Sequence, residues 1–343
     1  PALRPAEVQS FINCVFLNFA RDFATMLPAC QRDVRTGTVK PMEKQRAEKS
    51  FVVGGARIGA GPLEPALYLV ATPIGNLADI TLRALEVLAA ADILACEDTR
   101  TSRILISRYG IKRAMTAYHE HNAREAGPRL LNALEAGQSV ALISDAGTPL
   151  VSDPGYRLVE QAVEKGIRVV PVPGPSAVLA ALSASGLPTD AFLFAGFLPV
   201  KDGQRQRRLE TFRQTPATLI FFESPRRLAG SLAAMAEALG GDRPACVARE
   251  ITKTFEEMRR DTLAKLAAHY AEAGAPKGEI VVCIGPPGEA AEASMVDTDR
   301  LLLSLAAEMP AAKAAGEAAR MTGARKADLY QRLIELKAAS DAG

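Results

Sequence analysis

Short apolar runs recur along this chain, each followed by a turn-rich polar stretch and then by apolar residues at helical spacing. Leu67-Tyr68-Leu69-Val70 reads as a buried strand, and beyond its loop Asp79 can cap a helix with Leu82, Leu85 and Leu88 on one face. Ile93–Cys96, Met115–Tyr118, Val140–Ile143 and Val169-Val170 predict further strands. Helices are expected around Ser102–Arg108, across Leu130, Leu131 and Leu134 up to a stop at Gly137, and from Tyr156 to Lys165. Such alternation indicates a mostly parallel sheet covered on both faces. A second α/β unit follows a helix at Ser176–Ser185, with strands at Phe192–Ala195, Thr218–Phe222, Ala245–Ala248 and Ile280–Ile284. Pro286-Pro287-Gly288 marks a linker, and the Ala-rich tail from Val296 reads as two short helices broken at Thr322-Gly323. The expected organisation is an extension over 1–62, an N-terminal α/β domain over 63–173, a C-terminal α/β domain over 174–288 and a helical module over 296–343.

Composition narrows the partners. At 343 residues the chain can hold two or three domains, and its net charge of +2 is too small to imply nucleic-acid binding by itself. Any basic surface must be local. Lys201, Arg205, Arg207, Arg208 and Arg213 form the most basic segment of the ordered part, and the tail adds Lys313, Arg320, Arg325, Lys326 and Arg332. The 5 cysteines are scattered without a C-x-x-C pair, which argues against a zinc module or a disulfide framework and suits a reducing cytosol. No apolar run approaches the roughly 20 residues that span a bilayer. Phe11–Phe19, with only Arg4 before it, makes a poor signal peptide, and Lys40–Lys49 reads as solvated or disordered.

Chemistry concentrates in three loops directly after strands: Ala71-Thr72-Pro73-Ile74-Gly75-Asn76, Ser144-Asp145-Ala146-Gly147-Thr148-Pro149 and Val172-Pro173-Gly174-Pro175-Ser176-Ala177. Ligands of open α/β sheets bind outside the carboxyl ends of the strands, so these loops mark the expected site. None is a phosphate cradle of the P-loop or dinucleotide type, which points to a small organic cofactor not held mainly by phosphates. Several strands also end in charge: Glu97-Asp98-Thr99-Arg100, Ser144-Asp145, Glu223-Ser224-Pro225-Arg226-Arg227 and Arg249-Glu250-Ile251-Thr252-Lys253. His119 and His121 share one strand face, but with no third ligand they read as a polar wall of the same pocket rather than a metal site.

Leu69–Leu77, Cys96–Arg100, Ser144–Pro149 with Ser152–Gly155, and Val172–Ala177 together resemble the tetrapyrrole methylase superfamily. Gly196-Phe197-Leu198-Pro199, Phe222–Arg227 and Arg249–Lys253 are similar to its branch that methylates RNA of the small ribosomal subunit, as is the helical tail. The resemblance implies a two-domain tetrapyrrole-methylase-like α/β fold with mostly parallel or mixed sheets, plus a helix-turn-helix-like module. It implies S-adenosylmethionine as cofactor and a homodimer; the residues themselves give the expectation of no metal, a cytoplasmic location and no membrane. The implied reaction is 2′-O-methylation of a cytidine ribose in 16S ribosomal RNA near the decoding centre, expected at cytidine 1402. Cofactor contacts carry over to Gly147, Thr148, Pro149, Val151, Ser176 and Ala177, with Pro73, Gly75, Asn76 and Asp145 beside them, and Phe222, Ala248 and Gly278 as the second-domain wall. Catalytic roles fall to Glu97 or Asp98 as base, Arg100 as orienting cation, Lys253 against the developing alkoxide and Glu223 as reserve base. Arg226 stands where many relatives are expected to have His, so no role of that His transfers. Alternatives are a corrin-type or diphthine-type methyltransferase of the same superfamily, or a non-catalytic RNA-binding protein.

Overall fold

Runs of β-branched and aliphatic residues bounded by Gly and Pro build two five-stranded sheets. A computed structural model describes residues 49–151, 155–322 and 324–341. The expected features at Phe11–Phe19, Ser152–Pro154 and Gly323 lie outside these residues, as does Lys40–Lys49 up to its last residue.

The chain first forms a hairpin of β1 (Ser50–Val53) and β2 (Ala56–Gly59), which falls inside the stretch expected to be an extension. Phe51 is buried with Leu85, Leu88 and Ile106, so this part of the stretch packs onto the fold. The first sheet consists of β3 (Leu67–Val70), β4 (Ile93–Cys96), β5 (Met115–Ala117), β6 (Val140–Ile143) and β7 (Val169–Val172). All its pairings are parallel, in the order β5-β4-β6-β3-β7. Helices α1 (Leu82–Ala90), α2 (Thr99–Arg108), α3 (Ala123–Glu135) and α4 (Tyr156–Glu164) connect them. Two separate cores, one containing Val70, Leu88 and Ile143 and the other Leu67, Leu130 and Leu158, cover the two faces. Thr81, not Asp79, caps α1, its hydroxyl accepting the Ala84 amide at 3.1 Å. Asp79 instead ends a short 3₁₀ turn that Asn76 caps.

After α5 (Ala177–Ser185) the second sheet forms from β8 (Phe192–Phe197), β9 (Thr218–Glu223), β10 (Pro244–Arg249), β11 (Glu257–Thr262) and β12 (Ile280–Ile284). Its order is β11-β10-β12-β9-β8, parallel only between β8 and β9 and antiparallel elsewhere. The sheets are therefore one parallel and one mixed. The basic segment expected as a polar stretch is α6 (Asp202–Glu210), and α7 (Leu228–Leu239) and α8 (Leu263–Ala273) pack on the same face. The tail forms α9 (Glu289–Glu308), α10 (Ala311–Thr322) and α11 (Lys326–Asp341) around Leu302, Ala314, Ala318, Leu329 and Leu333. Among the described residues no helix is long and apolar enough to cross a membrane.

Candidate functional site

Strands β6, β3 and β7 are neighbours, so their three carboxyl-end loops meet. Thr72 and Gly147 exchange backbone hydrogen bonds at 2.8 and 3.0 Å across the first two loops. The Thr148 hydroxyl donates to the Pro175 carbonyl at 3.3 Å, joining the second loop to the third. Gly174 lies so close to Ala71 that a Cβ there would sit 3.1 Å from the Ala71 methyl. Ser176 then caps α5, its hydroxyl accepting the Leu179 amide.

These loops face the second sheet across a cavity of about 380 Å³. One wall is Ile74, Ala146, Gly147, Thr148, Val151, Ser176, Ala177 and Val178; the other is Phe197, Phe222, Glu223, Ser224, Pro225, Ile251 and Gly278–Val281. The volume falls in the range of small-molecule sites, and the lining is mostly apolar with a few polar groups. The expected residues Gly147, Thr148, Val151, Ser176, Ala177, Phe222 and Gly278 are on it. Pro73, Gly75, Asp145 and Pro149 adjoin lining residues and Asn76 lies two positions past Ile74, none of them on the lining itself. Ala248 is fully buried with Val178, Ile220 and Val281, behind the wall rather than on it. Ile74, Ala146, Val178, Phe197, Ser224, Pro225, Ile251 and Glu279–Val281 were missed: except for Ser224 and Glu279 they are ordinary apolar strand and loop positions until the two sheets are brought together.

Backbone strain marks the same place. Leu150, Glu250 and Thr252 are the non-glycine residues with left-handed backbone among the described residues, at φ 74°, 52° and 66°. Leu150 precedes Val151, and the other two flank Ile251. Such conformations cost on the order of 1–3 kcal/mol each and persist only where the surroundings impose them. Gly278, at φ 106°, completes the constraint, since a Cβ there would fall 2.4 Å from Glu250 side-chain atoms. Asn76 donates its amide to the Thr252 hydroxyl at 3.0 Å, and Gly75 leaves room for the Lys253 stem, tying the first loop to the second sheet.

The charged strand ends divide by what they touch. The Asp98 carboxylate caps α2 through the Arg100 amide at 2.8 Å and also binds the Arg100 guanidinium at 2.7 Å. Those bonds from Arg100 hold its carboxyl down at about 2, which makes it a poor proton acceptor. Asp145, itself exposed, accepts the Asp98 amide at 3.1 Å; partial desolvation of its carboxyl raises it above the ordinary value against that bond, with the Asp98 charge adding to the rise. Glu97 is half-buried on the same edge. Glu223 is buried on the cavity wall with both oxygens engaged, by the Ser224 amide at 2.7 Å and by the Ser231 hydroxyl. Lys253 pairs with Glu250 and Glu279 at 2.8 and 2.9 Å. Burial acts to lower this ammonium, but the two carboxylates outweigh it and hold it above its ordinary value.

His119 and His121 do not line the cavity. They follow β5, the edge strand of the first sheet, and their rings lie 6.0 Å apart. Among the described residues no group of three or more His, Cys, Asp or Glu side chains is placed to hold a metal ion. Of the basic segment, Arg205 is tied to Asp202 at 2.6 Å with its side chain largely covered, whereas Lys201, Arg207, Arg208 and Arg213 are exposed. In the tail Arg320, Arg325 and Arg332 are each paired with an acid, Arg332 bridging to Asp299 at 2.8 Å.

Residues 66–267 match the family model described as Tetrapyrrole (Corrin/Porphyrin) Methylases, and residues 292–337 match the RsmI C-terminal HTH domain. The chain is 73% identical over 292 residues to a Mesorhizobium japonicum protein named Ribosomal RNA small subunit methyltransferase I, covering 85% of this chain and 99% of that one. A Pseudomonas aeruginosa protein of the same name is 51% identical, over 78% of this chain and 96% of its own. In fold alone, a solved diphthine synthase is similar with a TM-score of 0.51 at 16% identity, covering 64% of this chain and 89% of that one.

Proposed function

Because the chain belongs to the tetrapyrrole methylase family, in the group named ribosomal RNA small subunit methyltransferase I, we propose that it methylates small-subunit ribosomal RNA with S-adenosylmethionine. The finer reading is transfer to the 2′-hydroxyl of a cytidine ribose in 16S RNA near the decoding centre. The observation that supports a methyl-donor cofactor is the cavity between the three Gly/Pro loops and the strained Glu250–Thr252 segment; the 2′-hydroxyl acceptor follows from the resemblance. The site fits the cofactor: it is mostly apolar, and Gly147 and Gly278 bring backbone to its surface without side chains. Gly147, Thr148, Val151, Ser176, Ala177, Phe222 and Gly278 would hold the cofactor, with Pro73, Gly75, Asn76 and Pro149 bracing them. When bound, S-adenosylmethionine supplies a methyl group already activated on a sulfonium.

The chain's own task is then to align the ribose oxygen, exclude water and take up a proton. Asp145, exposed beside the cavity through Ala146 and with its carboxyl raised by partial desolvation, is better suited as a base than Asp98. Asp98 and Arg100 become positioning groups, and Glu223 a brace for the β9–α7 turn. Glu97 shares the edge with Asp145. Lys253, kept protonated by Glu250 and Glu279, steadies the developing alkoxide. The division into domains at 63–173, 174–288 and 296–343 and a cytoplasmic homodimer belong to the same reading.

Incubation of unmethylated small subunits with methyl-labelled S-adenosylmethionine, followed by nucleoside analysis, tests the proposal. It requires label in 2′-O-methylcytidine; label in protein, in another nucleoside or nowhere refutes it. In single turnover, Asp145→Asn is expected to slow transfer by about 10²-fold or more, whereas Asp98→Asn, which removes only a positioning contact, slows it by less than about 10-fold. Glu97→Gln run in parallel assigns the base between the two neighbours.

A further inference from the structure

The cavity has one lip whose chemistry exceeds what a small cofactor needs. Phe197 is both a wall residue and 56% exposed, and its ring meets Phe222 edge-to-face at 5.6 Å. The pairing of β8 with β9 is irregular between Phe194 and Phe197, where Gly196 takes φ 67°. Bulges of this kind re-aim a side chain and recur beside active sites. The segment continues through Val200, which is 74% exposed, to the exposed Lys201.

A second segment is fastened beside it. Arg227 donates to the Leu198 and Pro199 carbonyls at 2.7 and 3.3 Å and lies 3.5 Å from the Glu223 carboxylate, so its charge is spent on the joint. Its neighbour Arg226 is exposed and has no ion-pair or hydrogen-bond partner among the described residues. Pro225, just before it, lines the cavity. An exposed aromatic, the Arg226 guanidinium and the Lys201 ammonium, which likewise has no side-chain partner among the described residues, thus share one lip, held in register by Arg227.

Resting on the methyltransferase reading above, we infer that this lip grips the RNA strand at the target: one base stacks on Phe197 and an adjacent phosphate binds Arg226. Sequence-tolerant stacking on an aromatic face, combined with a cation for the backbone, is how splayed single strands are held. A protein partner would use the apolar residues but leave two unneutralised cations within the contact, which favours the polyanion.

The test uses the full chain with unmethylated small subunits, in filter binding over a salt series, beside calorimetry with S-adenosylmethionine. Phe197→Leu, which keeps apolar bulk but removes the ring, is expected to weaken subunit binding about 10-fold, and Phe197→Tyr to restore it to within about 2-fold. Arg226→Gln is expected to lower the salt slope by about one. Affinity and slope unchanged in both Phe197→Leu and Arg226→Gln, with normal cofactor heat, overturn the lip while leaving the methyltransferase reading intact. A change of sedimentation mass in Phe197→Leu also overturns it, since the face would then join two copies of the chain. Absence of cofactor heat in the unmodified protein defeats both.

Discussion

Gly278 shows how much can rest on a missing side chain. Its backbone at φ 106° disfavours any L residue, and the space its Cβ would need holds the Glu250 carboxylate that steadies Lys253. Gly278→Ala is therefore expected to cost about 1–3 kcal/mol in urea denaturation and to weaken cofactor binding by calorimetry. Asp98 gives a prediction in pH. Its carboxyl ordinarily titrates at 3.8 and is held at about 2 by Arg100, so its contribution to stability is complete above 3.8 and is lost as pH falls towards 2. Asp98→Asn should melt below the unmodified protein at neutral pH and converge with it near the acid end. Gly278 was visible in the sequence as a wall residue; the reason for it was not, because Glu250 lies far away in the chain and only the sheet register brings them together.

Elements with strong apolar runs were legible, and those stabilised by partners were not. The central strands β3, β4 and β6 of the first sheet could be read from their own residues, because a parallel sheet covered on both faces needs continuous aliphatic stretches there, whereas the edge strands β5 and β7 carry only a partial run. The edge strand β11, Glu-Met-Arg-Arg-Asp-Thr, carries almost no such signal and owes its conformation to antiparallel pairing with β10. The β1–β2 hairpin escaped for a similar reason: Phe51 is its one fully buried apolar residue, with Val53 packed partly beside it, while all of Ala56–Gly59 is exposed. Phe51→Ala should lower the unfolding free energy by about 3 kcal/mol in urea titration. A negligible change would mean that the hairpin contributes nothing to the fold.

Across the molecule the cavity is a joint property of the two sheets, so half of it could be anticipated and half could not. The Gly/Pro loops of the first sheet announce themselves, whereas Ile251 and Ile280-Val281 look like plain β residues. A ligand that touches both walls binds only when both are assembled. S-adenosylmethionine at about 100 times its Kd should therefore add about 2.7 kcal/mol to stability, read as a rise in Tm. If Tm holds steady while calorimetry still reports binding, the unfolded chain or a single wall must also take up the ligand.

Strand β3 sits between β6 and β7, although it is the first of the three in sequence. On the translating ribosome it must wait for Val169–Val172 to leave the exit tunnel before its second neighbour exists. The nascent apolar segment Leu67–Val70 is thus exposed through about a hundred residues of elongation, roughly 5–20 s at typical synthesis rates. Late closure of this kind slows folding and gives holdase chaperones a window in which to act.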